Sequence, residues 1–506
     1  GDIDVDGTSN LDAIDVDGAA NFAADVTFAD GADIITASAG TSNTRIGVNA
    51  GNSIQSGGNY NVVVGDEAGT AITTGDSNVL IGYQTGDAIT TGLQNVAVGQ
   101  AALSAEDTAN YSTAVGHAAL FTQNAGDVDA YNTAVGYKAG LSVTTGIQNT
   151  LVGGLVGDAI TDGQLNTALG YSALTAETSG QRAVAIGGFA LATQNITTAT
   201  ESYNVAVGYN SGGAVTTGQQ NTLLGGLAGD ALTDADQNIA VGYRALSNDT
   251  LGSKSVSIGN YSLGTQNFTT ATDSFNVAVG HGAGESVTTG QYNTLIGGQA
   301  GDALTDADGN VAVGLNALTT DTLGSKSTAV GQSALANQNF TTAVDTYNTG
   351  VGYFAGVNIT TGVENTLIGS LAGDALTDAD YNVALGVAAL GSDTKGSKSV
   401  AIGNSALLRQ NFTTATDSFN VAVGYDSGSN ITTGTQNTLI GSEAGDAMTD
   451  VDFNVAVGHQ ALSGEVLGSR STAIGRAALR TQSFSTATDA YNVAVGFNAG
   501  LSVTTG

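Results

Sequence analysis

NVAVG at Asn204–Gly208 reads as five residues of strand closed by a glycine, and lightly varied copies of it run the length of the 506-residue chain. The copies begin with TRIG at Thr44–Gly47 and reach NVAVG again at Asn492–Gly496. From Gly136 the closing glycines are spaced 17, 17, 17 and then 21 residues apart, and that 72-residue cycle recurs through Gly208, Gly280, Gly352, Gly424 and Gly496. Self-similarity at a fixed short period marks a solenoid, in which each repeat buries its apolar side only by stacking on its neighbours. The chain is therefore expected to be a rod.

The residue before each glycine is aliphatic, and two before that stands Val or Thr, or once Ile. Between them lies a small residue or, once per cycle of 72, a leucine: Leu80, Leu151, Leu223, Leu295, Leu367 and Leu439. Such a strand is apolar on both faces, as strands covered on both sides are. The glycine ends the strand and permits a tight turn. The small residues that follow, then Gly, Gly, Leu, Leu in successive turns (Gly284, Gly301, Leu318, Leu335), suggest a second, outer strand. At roughly 4.8 Å per layer, about 26 turns make an all-β parallel solenoid some 125 Å long, spanning residues 41–506. One roll this thin would leave a strand face in water. Association around a threefold axis through the leucine column would bury it, so a homotrimer is expected.

Residues 1–40 read differently. IDVDG at Ile3–Gly7 and Ile14–Gly18 alternates Asp with Ile and Val, the period-2 pattern of a half-buried strand, and suggests a strand-rich leader or adaptor. The chain is taken as a piece of a longer polypeptide.

Composition narrows the functions. A net charge of −33, from 45 acids against 12 bases, excludes a non-specific nucleic-acid binder, which needs a basic face to release counterions. The charge keeps a long rod soluble. No apolar run reaches the length that inserts into a membrane. The three histidines, His117, His281 and His459, sit just after a repeat glycine where Tyr usually stands, as packing variants in a surface column. With no cysteine and no histidine base near a serine, no catalytic triad can be assembled, and no paired carboxylates stand apart from the repeat. The expectation is a non-enzyme with no cofactor.

The best metal candidates are the GDALTDADxN turns: Asp230, Asp234 and Asp236; Asp302, Asp306 and Asp308; Asp374, Asp378 and Asp380; Asp446, Asp450 and Asp452. Hard oxygens at short spacing suit Ca²⁺. A polar turn whose aspartates accept backbone N–H groups explains the same residues, and is preferred.

The 21-residue turns carry four residues more than their neighbours, in segments such as GTQNFTTATDSFN (Gly264–Asn276). A stack tolerates extra residues only at a turn, so Phe268, Phe340, Phe412 and Phe484 are expected to protrude as knobs and to offer surface contacts to a host glycan or protein. Five residues before the glycine these turns hold a ring, Tyr203, Phe275, Tyr347, Phe419 or Tyr491. The same slot one turn earlier holds a cation, Arg182, Lys254, Lys326, Lys398 or Arg470, which should lie against that ring.

NVAVG, NTLIG and KSVAIG with their small-residue followers resemble the SVAIG-x-x-A repeats in head domains of trimeric autotransporter adhesins, and the AVGYQAG-type repeats of marine bacteriophage tail fibres, where DIDVDG-like leaders also occur. The resemblance covers about 460 residues. It implies a left-handed β-roll joined as a trimer. The expected role is the structural shaft of a viral tail fibre, located in the virion, extending a receptor-binding tip. The alternative is the passenger of a bacterial adhesin at the cell surface.

Overall fold

A computed structural model describes residues 39–506, so the IDVDG leader lies outside the described residues. Among those described there is no helix. Twenty-six strands of three residues, from Thr44–Ile46 to Val493–Val495, form one parallel sheet. Each strand pairs in register with the next, as Val205, Ala206 and Val207 do with Thr222, Leu223 and Leu224. The parallel β-solenoid read from the sequence is therefore what the chain adopts.

The glycine closing each strand is required twice over. Gly208 holds φ +139°, and a Cβ there would come within 2.5 Å of the Gly225 carbonyl in the next layer. Beyond it the expected outer strand is absent. The segment is a run of turns, with Asn210 at φ 52° and Gly212 at φ 59°. Left-handed residues at alternate positions cannot extend into a strand. The turns still bond layer to layer: the Gly212 N–H donates to the Ala228 carbonyl at 2.9 Å and the Thr216 N–H to that of Thr233 at 2.9 Å.

The direction of the strand also differs from expectation. The middle residue points into the single chain, so Leu80, Leu151, Leu223, Leu295, Leu367 and Leu439 are fully buried there and are not a column on the surface for other copies. The flanking residues face outward. The first of these is Thr, Val or Ile in all 26 strands, and the third is always Ile, Val or Leu.

The interior explains why the period is 72. Take the four layers from Gly208. The middle residues are Ala206, Leu223, Ala240 and Ser257; four after the glycine come Gly212, Gly229, Leu246 and Leu263; seven after come Val215, Leu232, Asp249 and Gln266. All twelve are buried except the two glycines' absent side chains, whose space is taken: a Cβ on Gly229 would meet Leu223 Cδ2 and Leu232 Cδ1 at 2.8 Å. Where the seventh residue is polar and turns back to the chain, a leucine at the fourth fills the interior instead. Close packing thus fixes the order Gly, Gly, Leu, Leu.

The Asn of NVAVG forms a second, polar column. The Asn221 N–H donates to Asn204 Oδ1 at 2.9 Å, and Asn221 Nδ2 donates to the Ala235 carbonyl at 2.8 Å. Every such asparagine ties the strand start to the end of its own turn. In the fourth layer Ser255 replaces it, and Gln266 bridges the gap: its Nε2 donates to Ser255 Oγ at 2.9 Å and its Oε1 accepts from Asn276 Nδ2 at 2.9 Å. A fully satisfied buried ladder of this kind enforces register.

Candidate binding surface

The 21-residue turns are anchored from within. Glu177, Asp249, Asp321, Asp393 and Glu465 have no solvent exposure, nor has Glu106 before the 20-residue turn from Gly116 to Gly136. Asp249 Oδ1 accepts the N–H groups of Gly252 at 3.0 Å and Phe268 at 3.1 Å, and its Oδ2 accepts Gln266 Nε2 at 2.5 Å. The insert is thereby drawn inward. Phe268, Phe340 and Phe412 are 4%, 7% and 6% exposed, and Phe484 is half-buried, so these rings are not surface knobs. Phe268 takes the space beside Gly252, where a Cβ would stand 2.7 Å from its Cδ2. The exposed tips are the threonines that follow, such as Thr269 and Thr270.

The five cation–ring pairs are present as expected. Lys254 Nζ lies 5.2 Å from the Phe275 ring centre, Lys326 5.4 Å from Tyr347 and Lys398 5.3 Å from Phe419. The guanidinium carbons of Arg182 and Arg470 stand 5.7 Å from Tyr203 and 5.8 Å from Tyr491. Sequence reasoning missed the third member. An acid two residues before each ring bonds the cation: Glu201 to Arg182 at 2.8 Å, Asp273 to Lys254, Asp345 to Lys326 and Asp417 to Lys398 at 2.5 Å, and Asp489 to Arg470 at 2.9 Å. In four of the five a two-residue strand places it, as Thr272–Asp273 does against Gly252–Ser253. The signal was available as an acid at constant spacing from the ring. The hydrogen bond from Lys326 holds the Asp345 carboxyl below the usual range, and the same bond pushes the Lys326 ammonium up.

These triads are exposed, so each is expected to contribute little. Lys254→Ala should lower unfolding free energy by about 0.5–1 kcal/mol in denaturant titrations, and part of that should vanish in high salt. A loss of several kcal/mol would mean that the cation, and not the buried acid, holds the insert.

The acidic turns behave as hydrogen-bond acceptors between layers. Asp236 Oδ1 accepts the Gln219 N–H at 2.7 Å, Asp308 that of Gln291 at 2.7 Å, Asp380 that of Val363 at 2.8 Å and Asp452 that of Thr435 at 2.7 Å. Asp234, Asp306 and Asp450 take the hydroxyls of Thr217, Thr289 and Thr433, and Asp302 that of Thr319. Asp378 bonds Thr377 and Lys395. Asp230, Asp374 and Asp446 lie half-buried, and burial pushes their carboxyls up. Among the described residues no three acidic or histidine side chains converge as a metal site would require. The histidines keep to the surface column: His117 stacks on Tyr137 at 5.5 Å and His281 meets Tyr261 edge-on at 6.4 Å.

Beside this edge runs the outward sheet face. Its aliphatic third column stays open to solvent, with Val207, Ile258, Ile296 and Leu385 at 36%, 37%, 39% and 43% exposure. No family model matches the chain, and no curated protein matches it significantly.

Proposed function

We propose that the chain is the non-enzymatic shaft of a viral tail fibre, a homotrimer that carries a receptor-binding tip away from the particle. The observation behind this reading is the uncharged outward face: two columns of Thr, Val, Ile and Leu continue without interruption through 26 layers. A monomer seldom exposes an apolar patch of that extent, and a closed threefold assembly would cover it in every copy. The contact between copies is then made by this outward face, with the leucine column inside each chain. A stack of one strand per layer also gives length at little cost in sequence, which suits a spacer.

Light scattering on the purified chain tests the assembly. Three chains per particle are expected. A well-folded monomer would overturn the trimer while leaving the rod intact.

A further inference from the structure

Next to the Lys254 triad the edge of the rod opens into a polar cleft of about 290 Å³, lined by Gln219, Gln220, Asp236, Gln237, Lys254 and Asp273. Its floor is rigid. Asp236 accepts the Gln219 N–H at 2.7 Å and donates its own N–H to Ser253 Oγ at 2.9 Å. One wall is set by Gln237 Nε2, which donates to Gln220 Oε1 at 3.0 Å, and the far end by the Lys254–Asp273 pair at 2.5 Å. Among the described residues several groups have no hydrogen-bond partner: the whole Gln219 side-chain amide, Gln220 Nε2, Gln237 Oε1 and the second oxygen of Asp236.

Those groups are donors and acceptors on a wall whose lining side chains are all polar or charged. Hydroxyl groups, each able to donate and accept, match such a wall; a hydrocarbon does not. Asp236, Asp273 and the surplus of acids over bases along the chain repel sulfated or carboxylated polymers. A cleft of about 290 Å³ has room for one sugar ring. We propose that this cleft binds an uncharged sugar unit of a larger glycan.

The floor recurs while the wall does not. Asp308 with Ser325, Asp380 with Ser397 and Asp452 with Ser469 repeat the floor hydrogen bond at 2.9 Å, 2.9 Å and 3.0 Å, each beside its own cation–acid pair. The Gln220 and Gln237 positions become Tyr292 and Gly309, Glu364 and Tyr381, and Gln436 and Phe453. Successive clefts lie about 19 Å apart, four layers of ~4.8 Å. The Gln-walled cleft therefore has its own preference within a row of related ones, and a polymer reaching several would gain by multivalency. This goes beyond the shaft reading and does not depend on it.

The test uses the intact chain on a glycan array carrying neutral hexose and N-acetylhexosamine polymers alongside sialylated and sulfated ones. Retention of neutral polymers is expected, with none of the anionic ones. The double variant Gln219→Ala/Gln237→Ala should then weaken at least one retained neutral glycan by about tenfold or more, roughly the worth of one to two hydrogen bonds. Both side chains are at the surface, so the melting temperature should not move, which separates lost binding from lost fold. Retention of anionic polymers alone, retention of no polymer, or neutral retention unchanged in the double variant would each overturn the proposal.

Discussion

Leu223→Asp is expected to unfold the middle of the rod rather than to part copies that stay folded. Leu223 fills the interior between two glycines whose missing side chains make room for it: a Cβ on Gly212 would stand 2.7 Å from its Cδ1 and one on Gly229 2.8 Å from its Cδ2. Among the described residues no lysine or arginine is buried, so an aspartate there has no cation to pair with. It would either stay charged without a partner or take up a proton, and either way several kcal/mol are lost. Truncation to alanine should cost less, about 2–5 kcal/mol, because it leaves a cavity but no unpaired charge. The layers stack in one dimension, so the damage splits the cooperative unit and leaves the ends folded. Circular dichroism and light scattering on the purified variant check this. A charge placed at an interface between copies would part them into chains that are still folded; one placed inside each chain unfolds its layers. A variant that keeps the parent's strand content but is monomeric would return the leucine column to the trimer contact.

That contrast marks where the sequence was readable and where it was not. The period, the strand and the closing glycine could be read because only glycine suits φ +139° with a carbonyl 2.5 Å away. The cation over the ring could be read because the two positions recur one layer apart. Which side of NVAVG faces inward could not. Val205, Ala206 and Val207 are all apolar, so alternation gives no sign of the buried face. The decision lies seven residues past the glycine, where Val215, Leu232, Asp249 and Gln266 succeed one another. Their volumes and hydrogen bonds, set against Gly or Leu at the fourth position, only make sense once all point to one interior.

The inserts were misread for a related reason. Extra residues in a stack belong at the surface, and the threonines after Phe268 do lie there. Phe268 itself turns inward because its N–H is captured by a carboxylate in the preceding layer. A lone aspartate among many in an acidic chain gave no hint that it was buried. The αL turns were hidden too, since Tyr203 or Leu246 at positive φ contradicts the ordinary preference of those residues, at a cost of roughly 1–2 kcal/mol each. Hydrogen bonds to the layers on either side offset it.

The buried carboxylate itself gives the second large effect. Asp249→Ala is expected to destabilise the chain by about 3–6 kcal/mol. The change strands two backbone N–H groups, those of Gly252 and Phe268, together with one of the two N–H groups of Gln266 Nε2, whose other still bonds Ser255 Oγ, and an unsatisfied buried donor costs about 1–3 kcal/mol. Gln266 cannot simply rotate to recover, because its Oε1 already accepts from Asn276 Nδ2 in the asparagine column. Asp249→Asn should fall between, since one oxygen remains for the two backbone donors while an NH₂ group then faces the Gln266 amide. Asp249→Glu should be nearly neutral. Glutamate occupies the same place at Glu465, which accepts the N–H groups of Gly468 at 2.6 Å and Phe484 at 3.2 Å and Gln482 Nε2 at 2.8 Å. Glu177 does so with Gly180, Ile196 and Gln194 at 2.7, 3.1 and 2.7 Å. Thermal unfolding of the three variants gives the ranking. The insert threonines near Thr270 should also become sensitive to protease in the alanine variant alone, because the released loop no longer has its anchor. An alanine variant as stable as the parent would show that the carboxylate is a passenger in the turn, and that packing of Phe268 against Gly252 holds the insert by itself.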